Sequence, residues 1–270
     1  MGHDDHLDRL ARVYSPLYQP LRDLLDRSLD PRGPELLLET AGEYLTGDSL
    51  ILDIGYRDAR HLIELVQTHS CRGVGLDPLD WHVERALVAV GEAGLGDRIE
   101  ITKGVIEQIE QPDDHFDLVW CHDVLELVEG LDQGLAEAAR VLEPNGAMLV
   151  YTNFATELLE PREAAMIYEP LGNVPANFDE DFMEAAFGRA GLVIERKDVI
   201  GTEWRERDEE EGRASSQNLL RLARLRRRRD EIVAEYGQER FDVAQASLQW
   251  LTYQLLGKLK PAMYVLRHGG

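Results

Sequence analysis

The sequence predicts an open α/β fold: a mainly parallel sheet with helices on both faces. Short apolar runs at Ser49–Ile54, Arg72–Asp77 and Phe116–Trp120 have the length and continuity of strands buried on both sides. The segments between them carry helical apolar spacing. Asp53-Ile54-Gly55 stands where the first strand must turn sharply into a helix. In such sheets ligands bind at the strands' carboxyl ends, because the free amides of the following helix and the strand end open into one crevice.

The elements follow in order. From Leu7 to Leu29 helical spacing is broken by Pro16 and Pro20, which predicts short helices joined by a turn and carrying Tyr14 and Tyr18. Glu35–Leu45 is a helix leading into the first strand. The second strand ends at Asp77, roughly 20 residues past the glycine turn, where a carboxylate can accept two hydrogen bonds from a ribose diol. Pro78 then opens a turn and a helix. Arg98–Gly104 is the third strand and Phe116–Trp120 the fourth, with a helix expected to open at Cys121–Val128. Leu131–Val141 is an amphipathic helix, and Glu143–Gly146 a tight turn in which Asn145 suits a positive φ. Ala147–Thr152 is the fifth strand, with Tyr151 and Asn153 emerging at its end. A helix over Arg162–Tyr168, another over Asp179–Ala190 ended by Gly191, a sixth strand over Leu192–Trp204 and a last strand over Pro261–Leu266 complete the pattern. Between those two strands, Arg205–Lys260 inserts an acidic turn, Glu206–Glu211, and two helices, Ser215–Val233 and Glu239–Leu256. The run Arg226–Arg229 reads as a solvated face paired with nearby acids. The aromatic helix reads as a lid over the pocket or as a contact between two copies.

With 270 residues and 44% apolar composition, the chain can fill one large domain with additions. Its 29 Lys plus Arg against 51 Asp plus Glu give a net charge of -22, which repels phosphate backbones and argues against nucleic acid and anionic membranes as partners. Cys71 and Cys121 lack metal-type spacing and read as reduced core thiols. No metal site, P-loop or Gly-x-Ser-x-Gly elbow is present. The acidic N-terminus has no apolar signal core and no run approaches a membrane span, so the expectation is a soluble, cytoplasmic protein.

The order of strand, Asp53-Ile54-Gly55 turn, helix, strand ending in Asp77, then Phe116-Asp117-Leu118-Val119-Trp120 and Leu142-Glu143-Pro144-Asn145-Gly146, resembles the class I S-adenosylmethionine-dependent methyltransferases that act on small molecules. The resemblance covers roughly the middle two thirds of the chain and rests on several ordered motifs rather than one. It implies a Rossmann-like seven-stranded sheet over residues 46–204 and 261–270, an N-terminal helical cap over 1–45 and a helical insertion over 205–260. It implies S-adenosylmethionine as cofactor, contacted by Asp53, Gly55, Tyr56 and Arg57 at the turn, Asp77 and Pro78 after the second strand, Val105 and Ile106 after the third and Cys121 after the fourth. It makes His122 the candidate general base, since imidazole accepts a proton near neutral pH, with Tyr14 as a second candidate. Tyr18, Tyr151, Asn153 and Trp204 are the expected substrate contacts.

The chain departs from the family at informative positions. The family turn is acid-x-Gly-x-Gly-x-Gly, and here the second and third glycines are Arg57 and Ala59. A side chain at Arg57 either plugs the space for the cofactor's methionine portion or offers its guanidinium to that portion's carboxylate. If the backbone at Arg57 needs a positive φ, its Cβ costs about 1–2 kcal/mol. The small acid that relatives place beside the adenine amino group is missing at Val105 and Ile106 unless Glu107 reaches round, and Leu127 replaces a histidine common in relatives. The expected activity is methyl transfer to O, N or C of a small molecule in specialised metabolism. The alternatives are a methyltransferase fold that forms or rearranges bonds without the cofactor, and a non-catalytic partner that uses the inserted helices as an interface, with a homodimer one form of it.

Overall fold

The computed structural model describes residues 3–15 and 18–269; the side chains of residues 3, 4, 18 and 19 lie outside the described set. The chain divides into two compact units, Met1–Pro31 and Arg32–Gly270. The first carries α1 (His3–Val13) and α2 (Tyr18–Leu25).

In the second unit α3 (Glu35–Gly42) precedes β1 (Leu50–Ile54), α4 (Arg60–His69), β2 (Arg72–Asp77), α5 (Asp80–Glu92) and β3 (Ile99–Lys103). Then come β4 (Phe116–His122), α6 (Leu131–Val141), β5 (Leu142–Ala155), α7 (Pro161–Leu171), α8 (Glu180–Arg189) and β6 (Leu192–Val199). The insertion contributes α9 (Glu203–Gly212), α10 (Ala214–Arg227), α11 (Arg229–Tyr236) and α12 (Gln238–Leu255), and β7 (Leu259–His268) closes the sheet.

The seven strands lie in the order β3-β2-β1-β4-β5-β7-β6, with β7 antiparallel to both neighbours and the other pairs parallel. The chain builds outward from β1 to β3 and then crosses back to β4, so β1 and β4 flank the point where the winding reverses. That is where an open α/β sheet leaves a crevice at its carboxyl edge. Alternate residues of the central strands feed two cores. Leu52, Val119, Cys121, Met148 and Val150 pack under α6 and α8, whereas Ile51, Leu118, Trp120, Leu149 and Tyr151 pack under α3, α4 and α9. Burial on both faces explains why these strands read as continuous apolar runs.

Several boundaries differ from expectation, each for a physical reason. β4 continues to His122, and instead of a helix only a 3-10 turn, Leu125–Leu127, follows. Asp123 takes φ 54°, which an α-helix cannot carry, and Asn177 Nδ2 donates to Leu125 O at 2.7 Å and Val128 O at 2.8 Å. β6 stops at Val199 rather than Trp204. Arg32 donates to both Asp198 oxygens at 2.8 Å and to Glu203 Oε1 at 2.7 Å, gathering the strand end and the start of α9. Trp204 and the acidic run Glu206–Glu211 are therefore helical. The expected Ser215–Val233 helix breaks at Arg228, between α10 and α11. Asn145 is not among the residues with positive φ, because β5 begins at Leu142 and Arg267 Nη1 donates to the carbonyls of Asn145 and Gly146.

The aromatic face of α12 packs within its own chain. Phe241, Ala246 and Tyr253 are buried, and Ala246, Tyr253 and Trp250 join Ile167, Tyr168 and Phe178 in a third apolar cluster beside α7. Among the described residues no helix is long and apolar enough to cross a membrane, and no group of three or more His, Cys, Asp or Glu is placed to hold a metal.

Candidate functional site

A cavity of about 730 Å³ opens at the carboxyl ends of β1, β2, β3 and β4, a size suited to a cofactor together with a small substrate. Its floor is the turn after β1. Gly55 has φ 75°, and a Cβ there would meet Val124 Cγ2 at 2.3 Å, so only glycine fits. Arg57 has φ 55° and Ala59 φ 57°: the two residues that replace glycines keep the left-handed backbone that glycine adopts freely. Each Cβ costs about 1–2 kcal/mol. Tyr56 anchors the turn to the sheet. Its ring lies over Gly75, where a Cβ would come within 2.6 Å of Tyr56 Cδ1, and its hydroxyl donates to Thr102 O at 3.3 Å. The Arg57 side chain is exposed, lines the cavity, and makes no hydrogen bond or ion pair among the described residues.

Asp77 joins this turn to the next. It is 3% exposed; its Oδ2 accepts from Arg57 N at 3.1 Å and its Oδ1 from Leu79 N at 3.0 Å. His82 Nδ1 lies 2.8 Å from Oδ1. A carboxylate has about four acceptor positions, so Oδ2 keeps one for a ligand hydroxyl, while Oδ1 must share with His82. Asp53 is fully buried below, and its pKa rises to about 8, through desolvation first and then the charges of Asp77 and Asp58. It is therefore mainly protonated at neutral pH, and the cavity floor avoids two adjacent buried charges.

The wall at β4 and β5 is built differently. His122 stacks on Tyr151 at 4.7 Å between ring centroids, and Tyr151 stacks on Trp204 at 4.7 Å. His61, from the first turn of α4, meets His122 edge-on at 4.9 Å. Burial lowers both imidazoles to a pKa of about 4, so they are neutral hydrogen-bonding groups and weak bases at pH 7. Beneath them Asn153 is a buried node. Its Nδ2 donates to Asp123 Oδ1 at 2.8 Å and to Glu126 Oε1 at 3.1 Å, its backbone N–H donates to Glu126 Oε1 at 2.6 Å, and its Oδ1 accepts from Gln254 Nε2 at 2.8 Å. Packing of protein around Asp123, whose side chain still keeps 46% of its surface, raises its pKa, opposed by the Asn153 hydrogen bond and by Arg205. Burial and then the charge of Asp123 raise that of Glu126.

Asp53, Gly55, Tyr56, Arg57, Asp77, Pro78, Val105, Ile106 and His122 all line the cavity, so these residues expected from the sequence are brought together. Glu107 lines it too, at the end where an adenine acid is otherwise missing. Cys121, Tyr151, Asn153 and Trp204 do not line it: Cys121 is fully buried in the sheet, and the other three stand behind the wall. Tyr14 is 81% exposed within the first unit, and the side chain of Tyr18 lies outside the described residues. His61, His82 and Asp123 line the cavity without having been singled out in the sequence. His61 had a signal, six positions after Gly55 on the first turn of the helix that the turn opens. Gln254, 101 residues from Asn153, had none.

Comparison with known proteins places these observations. Residues 52–150 match the family described as a methyltransferase domain. The sterol 24-C-methyltransferase of Eremothecium gossypii is 26% identical over 155 residues, 56% of this chain and 42% of that one. The chain thus spans about two fifths of the length of that curated relative. Among solved structures, the cyclase SpnF superimposes with a TM-score of 0.69 at 19% identity, over 87% of this chain and 81% of that one. A geranyl diphosphate methyltransferase in complex with S-adenosylmethionine gives 0.64 at 13% identity, over 87% and 83%. Residues 52–150 are therefore similar to a methyltransferase domain, and the seven-stranded sheet around them has the fold of these solved structures.

Proposed function

We propose that the chain binds S-adenosylmethionine in this cavity and transfers its methyl group to a small molecule. The observation that carries the proposal is the turn itself: Arg57 and Ala59 hold the strained φ of 55° and 57° that their side chains oppose. Strain of this kind persists where surrounding structure over-determines it, and the inference runs from the outlier to function. The residues fit the cofactor. Asp77 Oδ2 retains an acceptor position for a ribose hydroxyl, Val105, Ile106 and Glu107 offer an apolar wall and an acid for the base, and the Arg57 guanidinium suits a carboxylate. When bound, the cofactor supplies a methyl group already activated on a sulfonium. The chain then has to hold the acceptor in line with that methyl, exclude water and accept a proton. The β4 wall, with His61, Trp120 and His122 lining the cavity, provides a flat, apolar-edged surface against which an acceptor can be oriented.

A labelled-methyl transfer assay over a panel of hydroxyl, amine and carbon nucleophiles tests this together with binding of S-adenosylhomocysteine. Transfer, or tight binding of the cofactor product, is expected. Folded protein that binds neither form of the cofactor contradicts the proposal. A second reading follows from the same turn, bond formation without the cofactor: Arg57 lines the cavity where the family has a bare glycine, and the chain is alike in fold to a protein named as a cyclase. A small molecule retained by the purified chain without the cofactor favours that reading. Methyl transfer rejects it, and also rejects a purely non-catalytic role.

A further inference from the structure

The cavity contains an acid that the motifs above leave without a role. Asp123 follows His122 at the end of β4 and lines the cavity. Its backbone is left-handed at φ 54°, with its N–H donating to Tyr151 O at 3.0 Å, so the residue leaves the strand's alternation in a fixed direction. One carboxylate oxygen, Oδ1, is pinned by Asn153 Nδ2 at 2.8 Å. The other, Oδ2, lies 3.7 Å from His122 Nδ1, beyond hydrogen-bond reach, and makes no hydrogen bond among the described residues. The side chain keeps 46% of its surface, and as a cavity-lining residue it can turn that surface toward the cavity. Behind it Glu126 is 2% exposed, with Oε2 unpartnered among the described residues, and Gln254 of α12 fixes the Asn153 amide that holds both acids.

Strand order places this oxygen. Across β3, β2, β1 and β4 the cavity runs from Val105 and Ile106, past Asp77 and the Gly55 turn, to His122 and Asp123. With a ribose at Asp77, Asp123 stands on the far side of the turn, at the reacting end. We propose that Asp123 supplies the negative charge at the methyl-transfer end, facing the sulfonium and taking the proton of an O–H or N–H acceptor, with Asn153, Glu126 and Gln254 as positioning residues. This rests on the cofactor reading above. As the acceptor's lone pair forms its bond to the methyl carbon, the carbon–sulfur bond breaks with its electron pair left on a neutral thioether. The acceptor keeps its O–H or N–H electron pair, and that proton passes to Asp123 Oδ2. Positive charge migrates from sulfur to acceptor, so a carboxylate on the acceptor's side stabilises it increasingly along the step.

The groups facing Asp123 are His122 on its own strand, Glu126 from the 3-10 turn, Tyr151 from β5 and Arg205 from α9, and His61, Arg60 and Asp53 line the same cavity. The imidazoles and the phenol are neutral across the neutral range, which leaves Asp53 and Glu126 as the other titrating acids.

Calorimetric titration of the full chain with S-adenosylmethionine and S-adenosylhomocysteine, from about pH 5.5 to about pH 8.5, reads the charge directly, because only the first ligand is a sulfonium. The affinity ratio favouring S-adenosylmethionine is expected to rise about fivefold or more with pH as Asp123 ionises. Asp123→Asn, which preserves the acceptor for Asn153, is expected to lose most of that rise; Glu126→Gln, which removes the neighbouring charge, shifts it to lower pH. The same rise in Asp123→Asn as in the wild type overturns the assignment. If Asp123→Asn does not fold, an unshifted rise in Glu126→Gln overturns it instead. Binding of neither ligand by folded wild-type protein contradicts the cofactor reading, and this inference with it.

Discussion

The two halves of the cavity are built on different principles. The half at β1 and β2 is local: Asp53, Gly55, Arg57 and Asp77 lie within 25 residues, and one carboxylate, Asp77, bridges the two turns through backbone amides. The half at β4 and β5 is a network in which Asn153 joins Asp123 and Glu126, 30 and 27 residues away, to Gln254, 101 residues away. The first half depends on single residues and backbone conformation. The second depends on every member being satisfied, because an unpaired buried polar group costs about 1–3 kcal/mol.

Mutations separate the two halves. The largest effect is expected for Asp77→Ala, which removes the proposed ribose acceptor and strands the amides of Arg57 and Leu79. Affinity for S-adenosylhomocysteine should fall about 100-fold, equivalent to about 2.7 kcal/mol. Asn153→Ala strikes the other half. It leaves Glu126 without its side-chain donor and should cost about 2 kcal/mol in denaturant unfolding, with a much smaller change in S-adenosylhomocysteine affinity than Asp77→Ala. Equal losses of affinity in both variants would erase the division.

Asp53 offers a test through pH. Its folded pKa is raised from 3.8 to about 8, so the native state binds the extra proton. The stability that proton brings is fully present below the unfolded pKa and is lost as pH rises toward about 8. The thermal midpoint of Asp53→Asn is therefore expected to fall less than that of the wild type between about pH 5 and about pH 8. The smallest effect is expected for Ala59→Gly. Relief of the left-handed Cβ gains about 1–2 kcal/mol, and the greater unfolded-state freedom of glycine takes back about 0.4–1 kcal/mol, leaving a net gain between about 0 and about 1.6 kcal/mol. Arg57→Gly should show the same gain in stability with weaker cofactor binding, since it also removes the guanidinium.

The same division explains what the sequence made legible. The β1–β2 half could be read because a buried strand, a sharp turn and an acid at the next strand end are local patterns, and each expected residue there reached the cavity. From the sequence the positive φ at Arg57 was only a condition; the structure has it there and at Ala59 as well. The β4–β5 half was read poorly. His122 was visible as an imidazole at a strand end, but its burial against Tyr151, which makes it a weak base, depends on partners distant in sequence. Asp123 was hidden because its segment resembles a helix start, and the groups that hold the chain in a 3-10 turn there are distant, Asn177 lying 52 residues beyond Leu125. Trp204 was misplaced on a strand because Arg32, which closes that strand, lies 166 residues before its partner Asp198. The sheet order was legible from motif order; the insertion's link to the site through Gln254 was not.

The central claim is that the cavity over β1, β2 and β4 binds S-adenosylmethionine despite Arg57 and Ala59. Calorimetric titration of ligand-free wild type and Asp77→Ala with S-adenosylhomocysteine tests it most directly. Micromolar affinity in the wild type, reduced about 100-fold in the variant, is the predicted result. Absent binding by the folded wild type, or equal affinity in both proteins, would contradict the claim.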